Sequence, residues 1–277
     1  MDTQTLFTPS GVRLRLWRES PGELNWLFLP GGPGIGSDSL AGLIDAAQLP
    51  GSCWLVDLPG DGSNLAAPEA YSLWPNVLVE AARALPNCIY AGHSTGGADL
   101  LWTPELEECI VGLALVSSAP NASWYSRYVQ MTHDNPIPAM DAAVAAYERC
   151  PDNATLRDLA VESAPWNFEA EFVDEGRRLL QGMPYNLHAV EWSDKHFDHT
   201  YVKRWWPAQI PTLIISGERD RIVAQDLWVG TEFEQLNVRR FVIEGAGHFP
   251  WVENPRAVRD AFAHLTRRVG ESFAPGA

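Results

Sequence analysis

Cys88-Ile89-Tyr90-Ala91-Gly92-His93-Ser94-Thr95-Gly96-Gly97 runs without a break from an apolar stretch into a glycine-bracketed serine. Residues 88–92 read as a buried strand and residues 95–102 as a helix, so Gly-x-Ser-x-Gly falls on the junction between them, the context this pattern requires. A sharp turn there lifts the Ser94 hydroxyl clear of the sheet, and the flanking glycines let backbones approach closely. Thr95 then brings a backbone N–H to a helix start, where it can face a developing negative charge. Ser94 is the candidate nucleophile.

Outward from this junction, residues 11–18, 23–29, 53–57 and 110–117 give further short apolar runs. Strands covered on both faces read as such continuous runs, which predicts a mostly parallel sheet. Between them residues 39–48 and 72–85 read as helices, completing a βαβ rhythm with right-handed crossovers. The rhythm breaks near residue 118 and resumes at Pro211, with strands at 212–216 and 238–243 and a helical stretch near 225–235. The final helix is the clearest, with Val258, Ala261, Phe262, Leu265 and Val269 on one face. The prediction is an α/β core formed by residues 1–119 and 207–277, interrupted by a helical cap (lid) insertion at 120–206.

Three glycine-rich loops follow predicted strands. Pro30-Gly31-Gly32-Pro33-Gly34 comes first and can offer a second oxyanion donor, the Gly32 N–H. Ser216-Gly217-Glu218-Arg219-Asp220 and Gly245-Ala246-Gly247-His248 come late in the chain. A serine hydroxyl is a poor nucleophile at neutral pH; it needs a base, and the base needs a carboxylate to fix its tautomer. His248 is the candidate base and Asp220 its orienting acid, with Glu218 the rival two residues away. His93, next to the serine in sequence, is expected to pack rather than react.

The chain has 277 residues, a net charge of −15 and a pI of about 4.8. That balance argues against nucleic acid or an anionic membrane as partner, since both require clustered Lys and Arg. A small-molecule substrate is the expected partner. Cys53, Cys88, Cys109 and Cys150 lack metal-ligand spacing, so no metal is predicted; the three in or beside apolar runs, Cys53, Cys88 and Cys109, are expected as small core residues. No basic-then-apolar leader opens the sequence and no run approaches the ~18 apolar residues of a membrane helix. A cytoplasmic location is the expectation.

LPGGPG at 29–34, DLPGDGSN at 57–64, GHSTGG at 92–97, SGERD at 216–220 and GAGHFPWVENP at 245–255 together resemble the α/β-hydrolase superfamily. The resemblance implies an eight-stranded, mostly parallel sheet with helices on both faces and a cap over the site. It also implies an acyl-enzyme mechanism carried by Ser94, Asp220 and His248, with the Gly32 and Thr95 N–H groups as oxyanion hole and no cofactor. Gly31-Gly32-Pro33-Gly34 is similar to the proline iminopeptidase branch, which usually carries H-G-G-P-G. Here Pro30 stands in the histidine's place, and Thr95 follows the serine where those peptidases typically have tryptophan. That branch is therefore the lesser of two readings.

Trp124, Trp166, Trp192, Trp205 and Trp206 lie in the insertion, and Trp251 closely follows the candidate base. They either pack the cap onto the core or line an apolar pocket for a bulky acyl group. The leading functional expectation is hydrolysis of a small apolar or aromatic ester or amide. The same residues also admit C–C bond hydrolysis or a slow-turnover ligand sensor.

Overall fold

Alternate residues of one short strand show how the chain divides its interior. In Asn25-Trp26-Leu27-Phe28-Leu29, Trp26 and Phe28 join one buried cluster with Leu43, Ile44 and Phe262. Leu27 and Leu29 join another with Trp74, Leu78 and Tyr90. Side chains alternate across a strand, so these clusters are the two faces of a sheet, each covered by helices. Fully burying a side chain such as Phe28 contributes roughly 1.5–3 kcal/mol. The computed structural model describes residues 4–65 and 71–272; the outermost residues of both expected core segments, 1–3 and 273–277, lie outside it.

The first half runs β1 (Thr5–Phe7), β2 (Arg13–Glu19), β3 (Asn25–Leu29), α1 (Ala41–Ala47), β4 (Ser52–Asp57), α2 (Trp74–Arg83), β5 (Cys88–His93), α3 (Thr95–Leu101) and β6 (Gly112–Val116). Six helices follow without a strand: α4 (Ser123–Asp134), α5 (Met140–Arg149), α6 (Asn153–Glu162), α7 (Ala164–Asn167), α8 (Val173–Gln181) and α9 (Leu187–His196). The chain closes with β7 (Thr212–Gly217), β8 (Val238–Ile243), α10 (Pro250–Glu253) and α11 (Pro255–Ser272). The eight strands form one sheet in the order β1-β2-β4-β3-β5-β6-β7-β8. β2 pairs antiparallel with β1 and β4, and every other pairing is parallel.

Every residue of β5, β6 and β7 is buried, which is why each reads as an unbroken apolar run. β1 escaped the sequence reading because its three residues are exposed or half-buried and carry no such run. The helix expected near 225–235 is instead two 3₁₀ turns, Gln225–Trp228 and Thr231–Phe233. Tertiary contacts break it. Trp228 is buried against Trp206 and Phe233 and donates to the Ser118 carbonyl at 2.8 Å, while Arg240 takes the Gln225 carbonyl. Helix α6 has a full N-terminal cap, in which Asp152 accepts from the Ala154 and Thr155 N–H groups and Thr155 accepts back from the Asp152 N–H.

Buried Asp57, at the end of β4, fixes the loop beyond β3. Its carboxylate accepts from Arg13 and Arg15 of β2 and from both the hydroxyl and N–H of Ser37. All four cysteines are free; burial pushes the Cys53 and Cys88 thiols up to about 12. Cys109 is half-buried rather than packed in the core, because it caps a short 3₁₀ turn at 104–108 ahead of β6, and Cys150 at the end of α5 is exposed. No helix among the described residues is long and apolar enough to cross a membrane.

Candidate active site

Ser94 holds φ 52° and ψ −123°, in the left-handed half of backbone space that a side-chain-bearing residue avoids. It sits between the last residue of β5 and the first of α3, and its N–H donates to the Val116 carbonyl of β6 at 2.9 Å. The strained turn survives because both flanks are anchored. At Gly96, a Cβ would lie 2.3 Å from the Pro30 carbonyl oxygen, so only glycine lets α3 approach the loop after β3 this closely. Thr95, as the first residue of α3, has an N–H with no intrahelical acceptor. Its hydroxyl donates to the Gly32 carbonyl at 3.3 Å, which ties the two candidate oxyanion donors together.

Asp220 follows β7, and its side chain is fully buried. Its carboxylate accepts from the Ile222 and Val223 N–H groups at 3.0 Å each and from Gln225 at 3.1 Å. His248 Nδ1 lies 3.1 Å from both carboxylate oxygens. A carboxylate only accepts, so Nδ1 carries the proton and Nε2 is left as an acceptor. Glu218, the rival acid, accepts instead from the Gly245 N–H on the exposed side of the same turn. His93 is buried beneath the His248 ring, its Nε2–H donating to the His248 carbonyl at 3.0 Å. Burial, then the neighbouring His248, holds its pKa well below the usual value, so His93 is a neutral support.

Ser94, Thr95, Gly32 and His248 open together onto a cavity of about 360 Å³. That volume lies in the range of small-ligand sites. The opposite wall comes from the helical segment: Trp124, Tyr128, Leu180, Val190, Phe197 and Asp198. Of the six tryptophans singled out from the sequence, only Trp124 lines this cavity. Trp166 donates to the Asn135 carbonyl and meets Tyr128 edge-on from behind. Trp192 packs on Tyr71 and Trp74, Trp205 donates to the Leu100 carbonyl, and Trp206 packs on Trp228 and Phe233. Trp251 lies under His93 and Phe249, 3% exposed. These five are packing residues in this structure.

Sequence reasoning missed Tyr128, Phe197 and Asp198. Burial lifts the Asp198 carboxyl to about 6 despite a hydrogen bond from Ser193. No short motif marks it; its place follows from how α9 ends over α3. Two further carboxyls crowd nearby. Asp61 is pushed up to about 7 by burial and then by Asp57, and Asp99 is raised well above its usual value by burial and then by Asp198 and Asp61. Among the described residues no group of three His, Cys, Asp or Glu side chains is arranged to hold a metal ion.

Residues 26–261 match the pattern of the Alpha/beta hydrolase family. The chain is 24% identical over 246 residues to a pimeloyl-[acyl-carrier protein] methyl ester esterase of Xylella fastidiosa (strain M23), covering 86% of this chain and 94% of that one. Among solved structures it is similar to a proline iminopeptidase of Mycobacterium smegmatis, with TM-score 0.66 and 18% identity over 97% of this chain and 100% of that one. It is also similar to a thermophilic esterase of Thermogutta terrifontis, with TM-score 0.69 and 17% identity over 97% and 99%. At such identities the structural likenesses speak for the fold.

Proposed function

The chain belongs to the alpha/beta hydrolase family, and from that premise we propose that it is a serine hydrolase of small, uncharged carboxylic esters with an apolar or aromatic part. One observation carries the reading: an Asp220-oriented His248 and a backbone-strained Ser94 face one cavity, with the Gly32 and Thr95 backbone on its edge. Ser94 Oγ attacks the ester carbonyl while His248 Nε2 takes its proton, and Asp220 stabilises the imidazolium. The Gly32 and Thr95 N–H groups receive the oxyanion. Collapse expels the alcohol with the proton from His248; water, activated by the same imidazole, then attacks the acyl-enzyme and releases the acid. The ester class is supported by the similarity to the methyl ester esterase. The apolar preference rests on Trp124, Tyr128, Leu180, Val190 and Phe197 in the wall.

A second reading, cleavage of an amino-terminal residue from a peptide, is favoured by Asp198. Its carboxylate is the one acidic side chain in the cavity wall among the described residues and is suited to a protonated amine. The test is labelling with a fluorophosphonate, with the adduct located by mass spectrometry. Labelling at Ser94, lost in Ser94→Ala and in His248→Ala, is the expected result; a folded wild-type protein that stays unlabelled sinks the reading. Ester and aminoacyl-amide panels then separate the two substrate classes.

A further inference from the structure

The loops that carry His248 and Asp220 are held from the helical segment as well as from the sheet. The corner after α7 makes the connection. The Asn167 carbonyl accepts the His248 N–H at 2.8 Å, and a Cβ on Gly247 would lie 2.5 Å from that same oxygen. Glu253 of α10 bridges the two loops: one carboxylate oxygen accepts the Gly247 N–H at 2.5 Å, the other the Glu169 N–H at 2.6 Å. The Glu169 carboxylate, 12% exposed, then accepts from Arg219 at 2.6 Å and Arg221 at 3.1 Å, the two residues flanking Asp220. Arg221 also donates to the Pro165 carbonyl, and the Arg219 N–H donates to the Ala246 carbonyl. A closed ring results, running from His248 through Asn167, Glu169, Arg219 and Arg221 to Asp220 and back to the imidazole. Asn167 of this corner, and Ser163 at the other end of α7, line the cavity.

We propose that Glu253 and Glu169 are positioning residues that hold His248 in line with Asp220 and Ser94. The corner at 165–169 is then a working part of the catalytic apparatus and not only a wall. The proposal rests on the reading of Ser94 and His248 as nucleophile and base. Two carboxylate oxygens facing two N–H groups is an arrangement that glutamine cannot copy, because its amide nitrogen would confront one of the donors. Glu253→Gln therefore shifts the base loop while keeping side-chain volume. A misplacement of ~1 Å in such a site costs about 100-fold in rate.

The experiment measures the second-order rate of fluorophosphonate labelling, with kcat and KM on p-nitrophenyl acetate, for wild type, Glu253→Gln and Glu169→Gln. Expected are losses of about 100-fold and about 10-fold in labelling rate and in kcat, with KM within twofold of wild type. The downfield proton resonance of the His248–Asp220 hydrogen bond is expected to move or broaden in both variants. If Glu253→Gln does not fold, Glu169→Gln, whose arginine partners are half-exposed, decides alone. Labelling within twofold of wild type, with an unmoved resonance and only a lowered Tm, overturns the proposal and leaves the nucleophile assignment standing. Absence of labelling in the wild type instead removes the assignment on which the proposal rests.

Discussion

The two walls of the cavity are built on opposite principles. The sheet-side wall hangs mainly from strands β5, β6 and β7, in which every residue is buried, with His248 carried in after β8, where only Ile243 is buried. The facing wall hangs from helices of which α4 and α6 bury no residue fully. Yet both supply the same cavity, Ser94 and His248 from one side, Trp124, Tyr128 and Asp198 from the other. The proposed reactive residues thus follow strands of the buried sheet, and the proposed selectivity residues stand on helices with more exposed side chains.

The sharpest test of that division is Ser94→Ala, which is expected to lower kcat on an activated ester by at least ~10⁴-fold with folding intact. An active variant would mean that the rigid wall does not hold the chemistry. Next in size is stability. Phe28→Ala in the sheet core is expected to cost about 3–5 kcal/mol in urea unfolding, whereas Val129→Ala, half-exposed on α4, is expected within about 0.5 kcal/mol. Comparable losses would erase the contrast between the walls.

A third test lies where the walls meet. Burial raises the Asp61 carboxyl to about 7, beside Asp57 and Asp99. Its folded pKa exceeds the unfolded value, so between pH ~4 and 7 the native state binds the extra proton and stability falls as pH rises. Asp61→Asn mimics the protonated form and can still accept the Gly34 N–H. Its Tm is expected to exceed the wild-type Tm at pH 8 and to match it near pH 4; a parallel shift at both values would refute the assignment. The smallest effect concerns selectivity. Trp124→Ala should raise KM several-fold for bulky aromatic esters and little for acetates, while Trp206→Ala should alter Tm without changing the ratio. An unchanged ratio in Trp124→Ala would remove it from substrate contact.

The same contrast explains what the sequence made legible. β3 to β7 announce themselves because burial on both faces leaves continuous apolar runs, whereas β8 carries two arginines and buries only Ile243. The Gly-x-Ser-x-Gly turn and the loops at Asp220 and His248 are short local motifs and so are legible in sequence, although distant groups such as the Val116 and Asn167 carbonyls hold them in place. The cavity's outer wall has no such locality: Trp124 and Asp198 reach the same space from opposite ends of the helical segment. Tryptophan content therefore signalled packing without saying where. Trp192 and Trp205 could be either packing or pocket residues in sequence, and the structure makes them buttresses. The turns at 225–235 were misread because Trp228 is fixed by Ser118, 110 positions away.

The strained serine carries an evolutionary consequence. At φ 52° and ψ −123° the backbone of position 94 suits glycine better than any side-chain-bearing residue. Ser94→Gly should therefore yield a dead protein that is at least as stable as the living one. Where turnover is not required, folding gives no reason to keep serine there and a backbone reason to accept glycine. On the proposed reading, the serine stands at this position for its hydroxyl and in spite of its backbone.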